Sequence, residues 1–161
     1  IIYRNNNKSE KIENIKSFRK NCKLKQVKFY VANNMKLAVS TKADGLYISA
    51  FNRDLKYLNL KKSNFTIIGS AHNMHEIRLK IQQGCNYILL SKLFKVDYDQ
   101  NAPYLGLIKF NNYCRKISKK LVALGGINNS TLNYLKNVNC KSVAILSGVK
   151  KKPAKIISRL F

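Results

Sequence analysis

The chain has 161 residues, 31 of them Lys or Arg and only 7 Asp or Glu, for a formal net charge of +24. That length suits a single domain over 1–161, and a hydrophobic content of 45% belongs to a globular core rather than a disordered chain. No apolar run approaches the roughly 18 residues of a membrane span, and no signal-like segment is present, so neither membrane nor secretion is implied and a cytoplasmic protein is expected.

Ile1, Ile2 and Tyr3 form a short strand-like run that stops at the polar residues 4–7. A chain that begins at Ile rather than Met is expected to be processed, trimmed or partial. Residues 9–22 carry Ile12, Ile15, Phe18 and Cys22 three to four apart, one face of a helix. A second strand is expected over 27–31, a short helix over 35–39, a third strand over 45–49, a poor helix over 54–60 and a fourth strand over 65–69. Met74, Ile77 and Ile81 then stripe a helix that Gly84 can close. A fifth strand covers 87–90, and Leu107, Phe110, Cys114 and Ile117 stripe the next helix. A sixth strand over 121–124 ends in Gly125-Gly126. Ser130 is placed to cap a helix bearing Leu132, Leu135 and Val138. A seventh strand over 143–146 runs into Ser147-Gly148, and Ile156, Ile157 and Leu160 mark a last helix.

Seven βα units therefore fit into the chain. The strands YILL, LVAL and VAIL are continuously apolar, as strands buried on both faces are, which predicts an α/β fold with a parallel sheet flanked by helices. A (β/α)8 barrel and an open doubly wound sheet both satisfy that pattern. The open sheet usually opens on a glycine-rich first turn, and no G-x-G-x-x-G occurs here.

The glycine loops after the last two strands are the strongest chemical signal. In a barrel the loops after the seventh and eighth strands often hold a phosphate on backbone N–H groups, and glycine lets the anion come close. Gly125, Gly126, Leu146, Ser147 and Gly148 are the candidate phosphate-binding residues. Ordinary left-handed turns would leave the same mark. The four cysteines at 22, 85, 114 and 140 form no C-x-x-C pair and stand apart from His72 and His75, so zinc is not expected and buried free thiols are.

The segments IIGSAHNMHEI, GCNYILLSKLF, LGLIKF, VALGGINNSTL and SVAILSGV resemble, in order and spacing, those of the thiamin phosphate synthase/TenI superfamily. MKLAVSTKADGLYIS resembles the family's Leu-Ala…Ala-Asp-Gly-x-His-Leu-Gly, and Tyr3-Arg4 its strand-two Leu-Arg. The resemblance implies a (β/α)8 TIM barrel, here incomplete, with strand one and helix one missing ahead of Ile1. It also implies vitamin B1 biosynthesis: the family joins a pyrimidine pyrophosphate to a thiazole phosphate with Mg²⁺, so the partners expected are small phosphorylated thiazole or pyrimidine ligands.

Transferred residue by residue, that chemistry divides. The family's two metal carboxylates fall on Asn33 and Asn52, which are amides, so no metal ligand set is expected and Mg²⁺ enters only if the synthase reaction survives. Arg4 and Ser70 persist as substrate-binding candidates, and the thiazole-phosphate cradle is kept. Tautomerase-like relatives need neither metal nor pyrophosphate and carry a histidine where Lys92 stands. Lys92 is therefore a candidate proton shuttle, provided burial or nearby cations lower its basicity, and His72 is a second candidate base or else a structural residue at a strand end.

Two further readings remain open. One is a non-catalytic barrel that retains phosphate binding. The other is a nucleic-acid-binding protein, because a strongly basic chain attracts polyanions at low salt. Lys (25) and Asn (20) both have A-rich codons, so an AT-rich genome would write such a charge onto any fold.

Overall fold

The computed structural model describes residues 1–4, 11–57, 65–96, 99, 101–117, 120–140 and 142–145. Their contacts divide them into two compact units, residues 1–70 with 78–86, and residues 71–77 with those from 87 onward.

The first unit holds β1 (Ile2–Tyr3), α1 (Ile12–Leu24), β2 (Tyr30–Ala32), α2 (Met35–Ser40), β3 (Gly45–Ile48) and β4 (Thr66–Ala71, its last residue in the second unit). These strands pair in parallel and in chain order: Ile2 with Tyr30, Val31 with Leu46, Leu46 with Ile67. Parallel neighbours need a crossover between them, which α1 and α2 supply. All four residues of β3 are buried, as a continuously apolar strand requires. Phe29 is fully buried, with the rings of Tyr3 and Phe18 centred 6.2 and 5.9 Å from its own. Burying such a ring contributes about 2–3 kcal/mol.

β2 starts later than the expected 27–31. The intervening residues close α1: Gln26 N–H donates to Lys23 O and Val27 N–H to Cys22 O, with Gln26 at φ 54°. This is the paired 6→1 and 5→2 closure that glycine normally serves. α2 ends the same way around Lys42 at φ 49°.

The second unit holds β5 (Tyr87–Leu90), α4 (Gly106–Lys116), β6 (Lys120–Leu124), a 3-10 helix (Leu132–Asn137) and β7 (Val143–Ala144). β5, β6 and β7 also pair in parallel and in chain order, Leu90 with Ala123 and Leu124 with Ala144. Neither unit contains the reversal of strand order that marks a doubly wound sheet. α3 (Met74–Gln82) starts in the second unit and continues in the first from Arg78.

The helix expected after Ser130 is a 3-10 helix, and Ser130 does not cap it. Asn128 does the work, its Oδ1 accepting from the N–H groups of Ser130 and Thr131. Of the expected free thiols, Cys22 and Cys85 are buried, but Cys114 and Cys140 are half-exposed. The expected helix at 156–160 and residues 58–60 lie outside the described residues.

Candidate functional site

In the first unit the polar side chains gather just past the C-terminal ends of the strands: Arg4 after β1, Asn33 after β2, Ser49 after β3 and Ser70 near the end of β4. In barrel enzymes this is the end at which chemistry is done. Arg4 donates from Nη2 to Tyr47 Oη (2.9 Å), and Tyr47 in turn donates to Ser70 Oγ (2.9 Å). The Arg4 guanidinium also lies 4.8 Å from the centre of the Tyr47 ring. Arg4 and Ser70 are thus brought together by a tyrosine that sequence reasoning passed over. Its signal was present: Tyr47 and, two residues on, Ser49 are the polar-tipped side chains of an otherwise apolar run.

Asn33 and Asn52 are also brought together. Asn33 Oδ1 accepts from Ser49 N (3.0 Å), Ser49 Oγ (3.0 Å) and Asn52 Nδ2 (3.1 Å). Asn33 Nδ2 donates to Ser49 Oγ at 2.8 Å. Tyr57, a second residue missed from sequence, closes the cluster: it accepts from Asn52 Nδ2 (3.0 Å) and donates to Asn33 O (3.2 Å). The left-handed backbone of Asn33 (φ 57°) suits asparagine better than most residues. These residues do not fit magnesium. The ion prefers hard, charged oxygen ligands in octahedral array, whereas this cluster carries no charge and its central oxygen already has three donors.

In the second unit the segment after β5 folds onto the segment after β6. Leu93 N–H donates to Leu124 O (2.9 Å) and Phe94 N–H to Gly125 O (3.1 Å). Lys92 O and Leu93 O receive the N–H groups of Leu105 and Gly106, which lead into α4. The peptide between Ser91 and Lys92 is cis. Lys92 is half-buried and lies against Gly125, so that a Cβ added to Gly125 would sit 3.0 Å from Lys92 Cα. Gly125 and Gly126 have φ of +96° and +68°; the parallel pairing of Leu124 with Ala144 turns the Gly125 N–H toward Ala144 O, while the Gly126 N–H has no acceptor among the described residues. Gly126 has a packing reason as well: its added Cβ would meet Lys95 O at 2.2 Å and Phe94 O at 2.6 Å. Leu146, Ser147 and Gly148, the other half of the expected cradle, lie outside the described residues.

His72 is exposed and belongs to the start of α3. Glu76 Oε2 accepts from its backbone N–H (2.8 Å) and lies 3.0 Å from its Nδ1. Asn73 Oδ1 accepts from Glu76 N–H (2.9 Å), completing a reciprocal cap of the kind that starts helices. A structural role accounts for every contact of this ring among the described residues.

The family model described as thiamine monophosphate synthase matches residues 1–149. A thiamine-phosphate synthase of Prochlorococcus marinus subsp. pastoris is 29% identical over 148 residues, 91% of this chain and 42% of that protein. The thiamine-phosphate synthase of Persephonella marina is 29% identical over 154 residues, 94% of this chain and 74% of its own length. The chain thus spans about two fifths of the first of these relatives. Among solved structures, a thiamine phosphate pyrophosphorylase from Pyrococcus furiosus superposes with a TM-score of 0.73 at 17% identity, over 99% of this chain and 81% of that one. The fold is of the (β/α) barrel class, with seven of its strands among the described residues. No helix among the described residues is long and apolar enough to cross a membrane.

Proposed function

Since the chain belongs to the thiamine monophosphate synthase family, we propose that it serves thiamin biosynthesis by binding a thiazole phosphate, without the metal-dependent transfer to a pyrimidine. The observation that carries this reading is the Gly125–Gly126 turn, with both residues at positive φ, held beside Lys92 at the end of β6. Backbone N–H groups of a turn can make a donor surface for an anion. A lysine beside them adds a charge without fixing geometry, as phosphate-binding lysines do. In the first unit, the neutral Asn33–Asn52 cluster offers nothing to balance a pyrophosphate. Arg4, its guanidinium tied to Tyr47, is the candidate ligand-binding cation of the first unit.

In this reading Lys92 also stands where a proton can be relayed between neighbouring positions of the thiazole ring. A thiazole phosphate titrated into 15N-labelled protein should move the Gly125 and Gly126 amide signals. Lys92→Ala should weaken binding about tenfold, the loss of one charged hydrogen bond. It should also abolish any pH-dependent exchange between thiazole tautomers. Binding that leaves both glycine signals in place would overturn the site. Intact binding with exchange unchanged in Lys92→Ala would favour the non-catalytic barrel.

A further inference from the structure

We propose that the face of the first unit opposite its strand C-termini binds the phosphodiester backbone of a nucleic acid strand. α1 and the end of α2 border an open surface groove of about 460 Å³, and five cations line it: Lys16, Arg19, Lys20, Lys23 and Lys42. Four of them come from α1 at spacings of three and four, so they form one stripe along the helix. α1 leads into β2 and α2 into β3, which puts the stripe at the N-terminal ends of those strands, away from Arg4, Asn33 and Ser49.

The cluster is internally unfavourable. Lys16 with Arg19, Lys16 with Lys20, Arg19 with Lys23 and Lys20 with Lys23 are like-charge pairs at helical contact spacing, each costing about 0.2–0.5 kcal/mol. Arg19 is neutralised by Asp44 (3.1 Å), which also accepts from Phe29 N–H (2.8 Å) and lies 3.7 Å from Lys28. Lys16, Lys20, Lys23 and Lys42 are exposed, and among the described residues none makes an ion pair. Among the described residues no carboxylate lines the groove. The basic residues at the C-terminal end of α1 do gain from its dipole, but that accounts for Lys23 and not for Lys16 or Lys42.

An anion with several closely spaced charges relieves these repulsions. Residues 16 to 23 span about 10 Å of helix, enough to follow successive phosphates of one strand. Among the described residues that line it there is no aromatic or large apolar side chain. Base stacking and membrane insertion both need such groups, so the fit is to the backbone, independent of sequence.

The test is fluorescence anisotropy with a labelled oligouridylate at several KCl concentrations. The proteins are the unaltered chain, a Lys16→Gln/Lys20→Gln/Lys23→Gln triple variant, and a control with Lys109→Gln, Lys116→Gln and Lys136→Gln. The control removes the same charge from exposed positions of the second unit. Glutamine keeps helix propensity, and circular dichroism checks folding. The cluster variant should bind at least tenfold more weakly, and its log-log salt slope should be shallower by about 2, three contacts at about 0.7 each. The control should lose less than threefold with its slope unchanged. Equal losses in both variants would overturn the proposal in favour of a diffuse field. Cluster-dependent binding to anionic vesicles with none to RNA would overturn it in favour of a lipid surface. The thiazole-phosphate titration stands apart from either outcome.

Discussion

Replacing Asn33 and Asn52 by aspartate, singly and together, tests whether this cluster has ceased to be a metal site. Asn33→Asp should be nearly neutral. It loses the Nδ2 donation to Ser49 Oγ (2.8 Å), but the three bonds its Oδ1 accepts from Ser49 N, Ser49 Oγ and Asn52 Nδ2 become charge-assisted and offset that loss. Asn52→Asp should be costly. The amide nitrogen it removes donates to Asn33 Oδ1 (3.1 Å) and Tyr57 Oη (3.0 Å), and an oxygen in its place faces another oxygen. Two lost hydrogen bonds amount to about 2–3 kcal/mol, or roughly 5–10 °C in Tm for a chain of this size. In the double variant two carboxylates stand about 3 Å apart, and their repulsion at an effective dielectric of 20 is on the order of 5 kcal/mol. The pair should therefore be strongly non-additive. Millimolar Mg²⁺ should restore much of the double variant's stability, since a ligand at 100 times its Kd contributes about 2.7 kcal/mol. Thermal unfolding with and without Mg²⁺ at constant ionic strength reads all of this. A chain with its native asparagines that gained as much from Mg²⁺ as the double variant would refute the reasoning, and so would Asn52→Asp as benign as Asn33→Asp.

Gly126→Ala should cost about 2–4 kcal/mol, combining backbone strain with carbonyl oxygens at 2.2 and 2.6 Å from the new Cβ. Gly106→Ala has a similar φ of +72° and nothing within 4 Å, so it should cost only the left-handed penalty of about 1 kcal/mol; equal Tm losses would dismiss the packing argument. Burial, with a smaller contribution from Cys140, pushes the Cys114 thiol up to about 11 from 9.0. Iodoacetamide labelling of Cys114, followed by peptide mass, should be slow at pH 8 and rise toward pH 11; a half-maximal rate at pH 9 or below would contradict this. The sign for folding follows: the unfolded chain loses this proton first, so the thiol's contribution is complete below pH 9 and is lost as pH rises through about 11.

Strands buried on both faces were the most legible part of the sequence. The runs at 87–90 and 121–124 coincide with β5 and β6 because continuous apolarity has one explanation once its length is that of a strand. The start of β2 was not legible. Val27 is apolar, but its N–H is spent on closing α1, and the residue at the left-handed position is Gln26 rather than a glycine that would have announced the turn. The segment after Gly126 failed for a related reason. Ser130 is an ordinary cap residue, but Asn128 two positions earlier takes the same N–H groups in its own side-chain turn, and the backbone tightens to 3-10. At the candidate site, positions were legible and partnerships were not. That Asn33 and Asn52 occupy carboxylate positions follows from the resemblance. That they bond to each other depends on strand register and on a tyrosine 24 residues from Asn33.

A loop that no metal holds must be fixed in some other way, and the first unit contains the means. Lys80 on α3 is fully buried, and its Nζ donates to Asn52 O (2.7 Å) and Gln83 Oε1 (2.9 Å). Gln83, also fully buried, donates to Asn52 O and Asp54 O, both at 2.9 Å. Burying a lysine head group is costly unless its hydrogen bonds are met, so this arrangement persists because the 52–54 segment meets them. The segment is thereby fixed from the protein side, through its backbone carbonyls. Its side chain at position 52 is left to bond with Asn33 and Tyr57 instead of an ion. On this account the amide cluster is a fully satisfied polar network in its own right, which is why Asn52, and not Asn33, is the residue whose charge the fold can no longer accept.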